Sequence, residues 1–447
     1  MKSTGLLFVI MLVSGAAAAQ NNTQTSTSYG NSNQVTVTQG GRSNTATTRQ
    51  NDAAVNGGSA SGNNNQSTQT QQGSNHRATV NQMGNDQTAI QNQNSDISRG
   101  GNGASIKQGS AQAGSHGNYA SQNQGGFSQE VSIEQLSGYN YATQNQSGRN
   151  NTAAILQSVG PSNRATQAQN SVNANATATQ LGTANMSTQQ QSGGTASGRN
   201  HNVTVLQQGN VNNATQTQNT GAEFWSASIT QQGNLNTARQ DQTGGNDGST
   251  ATITQTGNSN RGTQEQIPGI GELDATLIQT GNGNRSTQSQ VQNGRSSVST
   301  VQVGATNTAS QTQTQGGYQY AYITQTGNDN QATQTQQGSF HTVMATQTGN
   351  GNQVTQTQAD NYQIGQISQF GNGSTAIQAQ RLGDVLATGP LYKGNQAFID
   401  QQGNDHYARQ RQTGNENVAQ TNQGAASNQS DVLQYGNANT SLVQQNH

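Results

Sequence analysis

The sequence predicts an all-β chain of stacked strand-turn-strand repeats, a β-solenoid or cross-β amyloid column with inward glutamine and asparagine ladders. Three observations predict it. The composition is too poor in apolar residues for an ordinary core, a Gly/Asn-centred unit recurs with its outer glutamines eleven residues apart, and the segments flanking it alternate strictly.

The chain has 447 residues, 27% of them hydrophobic and 4% aromatic, against an apolar share of roughly 45–50% in a globular domain. Asparagine and glutamine number 57 and 73, and with 55 glycines they supply about four residues in ten. An ordinary enzyme core cannot be built from that. With 17 basic and 18 acidic side chains the net charge is -1, so no electrostatic footprint for nucleic acid or an anionic membrane exists. Disordered chains share the low hydrophobicity but carry high net charge and many prolines, whereas this one has 3 Pro. Low charge, few prolines and many amides define the low-complexity class that pairs into β structure. The absence of cysteine excludes a disulfide framework and thiolate metal sites.

Lys2, the apolar run Leu6 to Val13, and then Ser14-Gly15-Ala16-Ala17-Ala18-Ala19 read as a secretory signal peptide over residues 1–19. Cleavage after Ala19 leaves residues 20–447 as one repeat domain, most regular from about 203 to 380 and from 399 to 445. No later segment approaches the run of about 18 apolar residues that a transmembrane helix needs. The expectation is an exported chain, soluble or self-associating.

Six segments align without gaps: Gln207–Gln218, Gln231–Gln242, Gln255–Gln266, Gln279–Gln290, Gln325–Gln336 and Gln347–Gln358. They define the unit Q-x-G-x-x-N-x-(A/S)-x-x-x-Q. Its glycine is Gly209, Gly233, Gly257, Gly281, Gly327 or Gly349, and its asparagine Asn212, Asn236, Asn260, Asn284, Asn330 or Asn352. Weaker copies span Gln302–Gln313 (with Gly304 and Asn307), Gln39–Gln50, Gln71–Gln82, Gln135–Gln146, Gln180–Gln191, Gln369–Gln380, Gln401–Gln412 and Gln434–Gln445. The interval between units shrinks from 13 residues (Gln218 to Gln231) to 12 (Gln290 to Gln302) to 11 (Gln336 to Gln347). One half of the repeat is therefore expected to be fixed and the other to accept insertions, with a working period of 22 to 24 residues.

An eleven-residue period can also signal a right-handed coiled coil. The local chemistry excludes it, because each unit places Gly and Asn-rich sequence where a helix would have to continue. The flanks have period two, as in Ala251-Thr252-Ile253-Thr254-Gln255 and Val203-Thr204-Val205-Leu206-Gln207, which means strands. Each repeat reads as a strand, a tight Gly/Asn turn, a strand and a second, more variable turn. Irregular stretches are expected at Asn51–Ala60, Gln93–Ala111, Ile267–Leu273 and Arg381–Gln396, and Pro161, Pro268 and Pro390 in turns or in those stretches.

Alternation through Gln231 puts Ala227, Ile229, Gln231, Asn236, Ala238, Gln240 and Gln242 on one face, and Thr230, Thr237, Arg239 and Asp241 on the other. The same rule sends Arg261, Glu265, Arg285, Arg409 and Arg411 outward, and Val203, Val205, Ala251, Ile253, Ala321, Ile323, Ala397 and Ile399 inward. A single hairpin of this kind is barely stable, and a lone buried amide costs a few kcal/mol. Stacking removes both problems, since repeats about 4.8 Å apart let each inward amide bond the identical amide above and below. About 18 rungs, a column of roughly 90 Å, follow from the period. The ladder residues so assigned are the outer glutamines and the asparagines of the six units, together with Gln302, Asn307 and Gln313. The end rungs of such a column can template another copy.

The unit Q-x-G-x-x-N-x-A-x-x-x-Q, repeated over most of the chain, resembles the curlin repeat of curli subunits, the secreted amyloid proteins of Gram-negative biofilm matrix. That resemblance implies stacking roles for residues such as Gln325, Asn330 and Gln336. It also implies export through an outer-membrane curli secretion pore, nucleation by a minor curlin, and growth of a homopolymeric fibril into adhesive extracellular fibres. The chain carries several times as many repeats as familiar curlins.

No catalytic constellation, metal site or cofactor motif stands out, and the chain is not expected to be an enzyme. His76, His116, His201, His341, His406 and His447 are dispersed without ligand spacing, and His76, His341 and His406 fall in Asn slots of repeats. Gly281-Asn282-Gly283 lacks the lysine of a phosphate loop. Phe224-Trp225 and Tyr318, Tyr320 and Tyr322 read either as carbohydrate-contacting surface aromatics or, the commoner case, as rings that pack or lie between neighbouring fibrils. The competing function is a monomeric solenoid, ice-binding or adhesive, using the outward pairs Thr215/Thr217, Thr333/Thr335 and Thr355/Thr357, although charge at Arg239/Asp241, Glu265 and Arg409/Arg411 breaks those ranks.

Overall fold

The computed structural model describes residues 21–52, 62–95, 100–109, 115–193, 200–219, 224–244, 248–269, 271–382 and 394–446. Residues 1–19, expected to be a signal peptide, and Pro390 lie outside them. The chain divides into two compact units, residues 1–224 and 225–447. Among the described residues both units are built from strands and turns, with no helix.

In the second unit, ten strands from Ser226–Gln232 to Thr440–Asn446 form one sheet, and nine strands from Thr237–Thr243 to Gln429–Tyr435 form the other. Every pairing is parallel and joins equivalent residues of successive repeats, such as Ala227 to Ala251, Ile229 to Ile253 and Gln231 to Gln255. The first unit repeats the plan with eight strands in each sheet, from Thr23–Ser28 to Asn202–Gln208 and from Gln34–Arg42 to Asn213–Asn219. Each unit is thus a two-sheet parallel β-solenoid.

The repeat is an arc and not a hairpin. Its two strands belong to opposite sheets and bond their counterparts in the neighbouring coils, because a turn of Gly, one further residue, a left-handed residue and Asn reverses the chain between the sheets. That left-handed residue is Val211 in one coil of the first unit and Leu235, Ser259, Thr306 or Asp329 in coils of the second, with φ between 56° and 59°, while Gly283 takes the position with φ of 67° in the coil between Ser259 and Thr306.

Alternating β-branched and polar residues suit a pleated surface with one buried face. In the second unit Ile323, Ala345, Ile367 and Ile399 of one sheet meet Ala309, Ala332, Val354, Ala376 and Ala408 of the other. In the first unit Val80, Ile106, Ile133 and Ile155 meet Ala89, Ala120, Ala142 and Ala165. Large residues on one sheet against small ones on the other keep the layer thin. Gly262 shows how closely that is tuned, since a Cβ there would come within 2.6 Å of Leu277, the residue that replaces isoleucine opposite it. Of the charged residues expected outside, Arg239, Arg261, Glu265, Arg285, Arg409 and Arg411 are exposed and Asp241 is half-buried, and among the described residues no Asp, Glu, Lys or Arg is buried.

Several details differ from the sequence reading. Gln93–Ala111 was expected to be irregular, yet it contains the strand Gly103–Gln108 with Ala104, Ile106 and Gln108 buried. Its Ala-Ser-Ile-Lys-Gln alternation is regular, and only the spacing on either side is unusual. Pro268 ends the strand Arg261–Pro268 where the register shifts against Asn293, the place in a ladder where a missing N–H costs least. Insertions are confined to one turn in the second unit. In the first unit the other turn is lengthened too, between Gln50 and Asn65 and between Gln108 and Asn118. The weak copies Gln39–Gln50 and Gln71–Gln82 straddle the turn opposite to that of the six strong units. Both turns use the same Gly and Asn chemistry, which the alignment could not tell apart.

Candidate functional site: the buried amide ladders

Inward alternation on the strands, followed by the turn glycine, delivers two glutamines and an asparagine of each strong unit to the interior. Gln207, Asn212, Gln218, Gln231, Asn236, Gln242, Gln255, Asn260, Gln266, Gln279, Asn284, Gln290, Gln302, Asn307, Gln313, Gln325, Asn330, Gln336, Gln347, Asn352 and Gln358 are each at most 1% exposed.

In the second unit one ladder runs Gln231, Gln255, Gln279, Gln302, Gln325, Gln347, Gln369, Gln401, Gln423, Gln445, with each Nε2 donating to the next Oε1 at 2.8–3.0 Å. A second runs from Gln242 through Gln266, Gln290, Gln313, Gln336, Gln358, Gln380 and Gln412 to Gln434 at 2.7–3.3 Å. The second Nε2 hydrogen crosses the core to a backbone carbonyl of the opposite sheet, as from Gln255 to Thr237 at 3.1 Å and from Gln336 to Tyr320 at 3.1 Å. The amides thereby tie coil to coil and sheet to sheet.

A third ladder was not among those assigned from the sequence, although the alternation places Gln240 inward. Gln240, Gln264, Gln288, Gln311, Gln334, Gln356, Gln378 and Gln410 bond in sequence at 2.8–3.3 Å. The signal was present, because the tenth position of all six aligned units is glutamine, but the written consensus left that position free. Where threonine replaces the isoleucine opposite this ladder, it bonds into it: Thr300 Oγ1 donates to Gln311 Oε1 at 2.7 Å, and Gln410 Nε2 donates to Thr421 Oγ1 at 3.0 Å.

The first unit has the same three rows. One joins Gln50, Gln82, Gln108, Gln135, Gln157, Gln180 and Gln207, and another joins Gln69, Gln91, Gln122, Gln144, Gln167, Gln189 and Gln216. The third links Gln39, Gln71, Gln93 and Gln124, then Gln146, Gln169, Gln191 and Gln218. It is interrupted at Gln146, whose Oε1 is buried without a hydrogen-bond partner.

The asparagines do more than bond one another. Asn330 Oδ1 accepts the backbone N–H of Asn352 in the next coil at 3.1 Å, and Asn330 Nδ2 donates to the carbonyl of Gly349 at 2.8 Å. Asn260, Asn284, Asn307 and Asn352 make the same reach to Gly281, Gly304, Gly327 and Gly371. The slot is a side-chain clamp on the backbone of the following coil. Its target explains the glycines. Gly209, Gly233, Gly257, Gly281, Gly304, Gly327 and Gly349 have φ between +105° and +118°, and a Cβ on Gly327 would lie 2.0 Å from the carbonyl oxygen of Gly349.

His76, His341 and His406 do sit in these slots, each at most 1% exposed. Burial lowers the pKa of His76, His201 and His341, and backbone contacts to His76 and His341 oppose it. Of the aromatics singled out, Tyr318, Tyr320 and Tyr322 are exposed, and Tyr318, Phe340 and Tyr362 stack with centroids 5.1 and 4.7 Å apart. Trp225 is fully buried and so packs, because it occupies the slot that leads into the strand Ser226–Gln232 and faces the core. Its neighbour Phe224 takes the exposed left-handed position.

These features define a class: parallel two-sheet β-solenoids whose interior is held by continuous amide ladders. Comparison with models of known families and with curated proteins gives no match to this chain.

Proposed function

We propose that the chain is a structural subunit of extracellular, curli-like amyloid fibres of a biofilm matrix, assembling by end-on stacking of its coils and mediating adhesion. One observation carries this reading. Each coil presents to the next a row of backbone and amide groups that the next coil matches residue for residue, so an interior coil and an added coil bond in the same way. Strand Thr440–Asn446 illustrates the point: it pairs with Val418–Gly424, and its inward Ser441, Val443 and Gln445 are half-buried, whereas Ala419, Thr421 and Gln423 of its partner are buried. A coil from a second copy would cover them. Low charge and the repeat's resemblance to curlins support the same reading, and with it export by a leader, a minor curlin nucleator and an outer-membrane secretion pore.

The test is the time course of the sedimentable fraction of purified residues 20–447 after transfer from denaturant to neutral buffer, with and without preformed fibres. Conversion to pelletable β-rich fibres, with the lag abolished by seeding, is the expected result. A chain that gains β structure but stays monomeric, seeded or not, would overturn it.

One observation favours the monomeric alternative. Thr287, Ser310, Thr333 and Thr355, with Ser289, Thr312, Thr335 and Thr357, form two adjacent outward hydroxyl rows uninterrupted by charge over four coils. Thermal-hysteresis activity of the monomer is the measurement that would select it.

A further inference from the structure

The clamp slot is occupied by asparagine in most coils and by histidine in three that bridge successive coils. In an asparagine coil the group makes two contacts besides its reach to the glycine carbonyl of the next coil. Asn284 Oδ1 accepts the N–H of Asn307 in the next coil at 3.1 Å, and Asn284 Nδ2 donates to the carbonyl four residues back, Thr280, at 3.3 Å. The histidines reproduce both contacts with ring nitrogens. His76 Nδ1 accepts the N–H of Asn102 at 3.1 Å, and His76 Nε2 faces the carbonyl of Gln72 at 2.9 Å. His341 Nδ1 accepts from Gln363 at 3.3 Å, with Nε2 3.0 Å from the Gln337 carbonyl. His406 Nδ1 accepts from Asn428 at 3.3 Å, with Nε2 3.0 Å from the Gln402 carbonyl.

A backbone N–H can only donate, and a backbone carbonyl can only accept. The ring must therefore carry its single proton on Nε2 and leave Nδ1 bare, so the neutral Nε2–H tautomer is imposed from both sides. A second proton would go onto Nδ1, where it meets the amide hydrogen of the next coil head on. The clamp would change from acceptor to donor, and two donors would be left facing each other in a buried site. Asparagine in the same slot has no such second state.

We propose that His76, His341 and His406 are acid-sensitive clamps, holding successive coils together when neutral and releasing the backbone of the following coil when protonated. The device belongs to the fold of a single chain and does not depend on the fibre reading. Several ionisable groups neighbour these rings. Asp360 lies one coil on from His341 and favours its charged form. Asp405 precedes His406 and has its carboxylate beside Gly373. Arg77 and Tyr407 follow His76 and His406 on the outward side of their strands. His201 occupies a comparable slot with neither ring nitrogen hydrogen-bonded, so it makes no bridge and is not part of the set.

Residue-resolved amide hydrogen exchange of the folded chain between pH 7.5 and pH 4.5, corrected for the intrinsic pH dependence of exchange, tests this directly. The amides of Asn102, Gln363 and Asn428 should lose protection by up to about tenfold per pH unit once the rings titrate. Those of Asn307, Asn330 and Asn352, which donate to asparagine oxygens, should not. In the variant His76→Asn/His341→Asn/His406→Asn, which restores the residue that fills most slots, the pH response of the first three amides should vanish. A common pH response in both sets of amides, or one that survives in the triple variant, overturns the proposal. A ring nitrogen NMR spectrum showing the Nδ1–H tautomer at neutral pH would overturn it as well.

Discussion

Gln325→Ala is the substitution that weighs the ladders most directly. Gln325 is fully buried and makes three hydrogen bonds: its Nε2 donates to Gln347 Oε1 at 2.9 Å and to the Thr308 carbonyl at 3.0 Å, and its Oε1 accepts from Gln302 Nε2 at 2.8 Å. At a net value of about 1 kcal/mol each, their loss costs about 3 kcal/mol. Gln302 Nε2 keeps its bond to the Arg285 carbonyl, but Gln347 Oε1 loses its ladder donor, which adds about 1–3 kcal/mol. A total of about 4–6 kcal/mol follows. Stacked repeats are stabilised chiefly by nearest-neighbour interfaces, so the loss should concentrate in the coils around Gln302, Gln325 and Gln347. Thr357→Ala, on the exposed outer face of a nearby coil, should stay within about 0.5 kcal/mol. Native-state amide exchange read over these coils, together with the rate of seeded fibre extension, measures both. Equal losses for the two variants, or a change below about 1 kcal/mol for Gln325→Ala, would refute the inside/outside assignment.

Other outcomes can be stated more briefly. Gln264→Ala, in the third ladder, should lower local exchange protection about as much as Gln255→Ala in the first, and a difference of more than tenfold would show that the rows are unequal. Gly327→Ala should disrupt its turn, since the added carbon would lie 2.0 Å from the Gly349 carbonyl oxygen, whereas Gly351→Ala, with open space around it and φ of 67°, should cost about 1 kcal/mol. Comparing the soluble folded fractions of the two variants checks this. Trp225, the one tryptophan of the chain and fully buried, should emit at short wavelength, resist acrylamide quenching and shift red on denaturation. Folding stability should rise with pH through the histidine range. Burial depresses the pKa of His76, His201 and His341, so the unfolded chain binds the more protons below about pH 6.5 and stability is lost as pH falls from there. Denaturant midpoints at pH 7.5 and pH 5 measure it.

The strand faces were legible because period-two alternation leaves little freedom: once Gln231 is inside, Ile229 and Ala227 must be too. The turn glycines were legible because a carbonyl of the next coil occupies the place of a side chain. What escaped was information that spacing does not carry. Gln240 and its equivalents were placed inward by the alternation, yet a consensus written around Gly and Asn gave them no weight. Trp225 was left open between a surface ring and a packed one, and its position in an inward slot decides for packing. The asparagine clamp on the following backbone was hidden for another reason: its partner is a main-chain N–H 22–24 residues away, which no residue pattern records.

Within each unit successive coils are joined covalently by one turn and otherwise by hydrogen bonds, and this arrangement determines how a unit would answer a pull along its stacking direction. A folded coil contributes about 4.8 Å to that direction, the strand spacing. Once peeled away, its 22–24 residues span about 80 Å of extended chain. Each rupture would therefore release more than ten times the length it had occupied while the coils behind it stayed closed. Under load such a chain yields in small repeated steps and dissipates work at each one, as a shock absorber does, and every released coil can wind back onto the intact template below it.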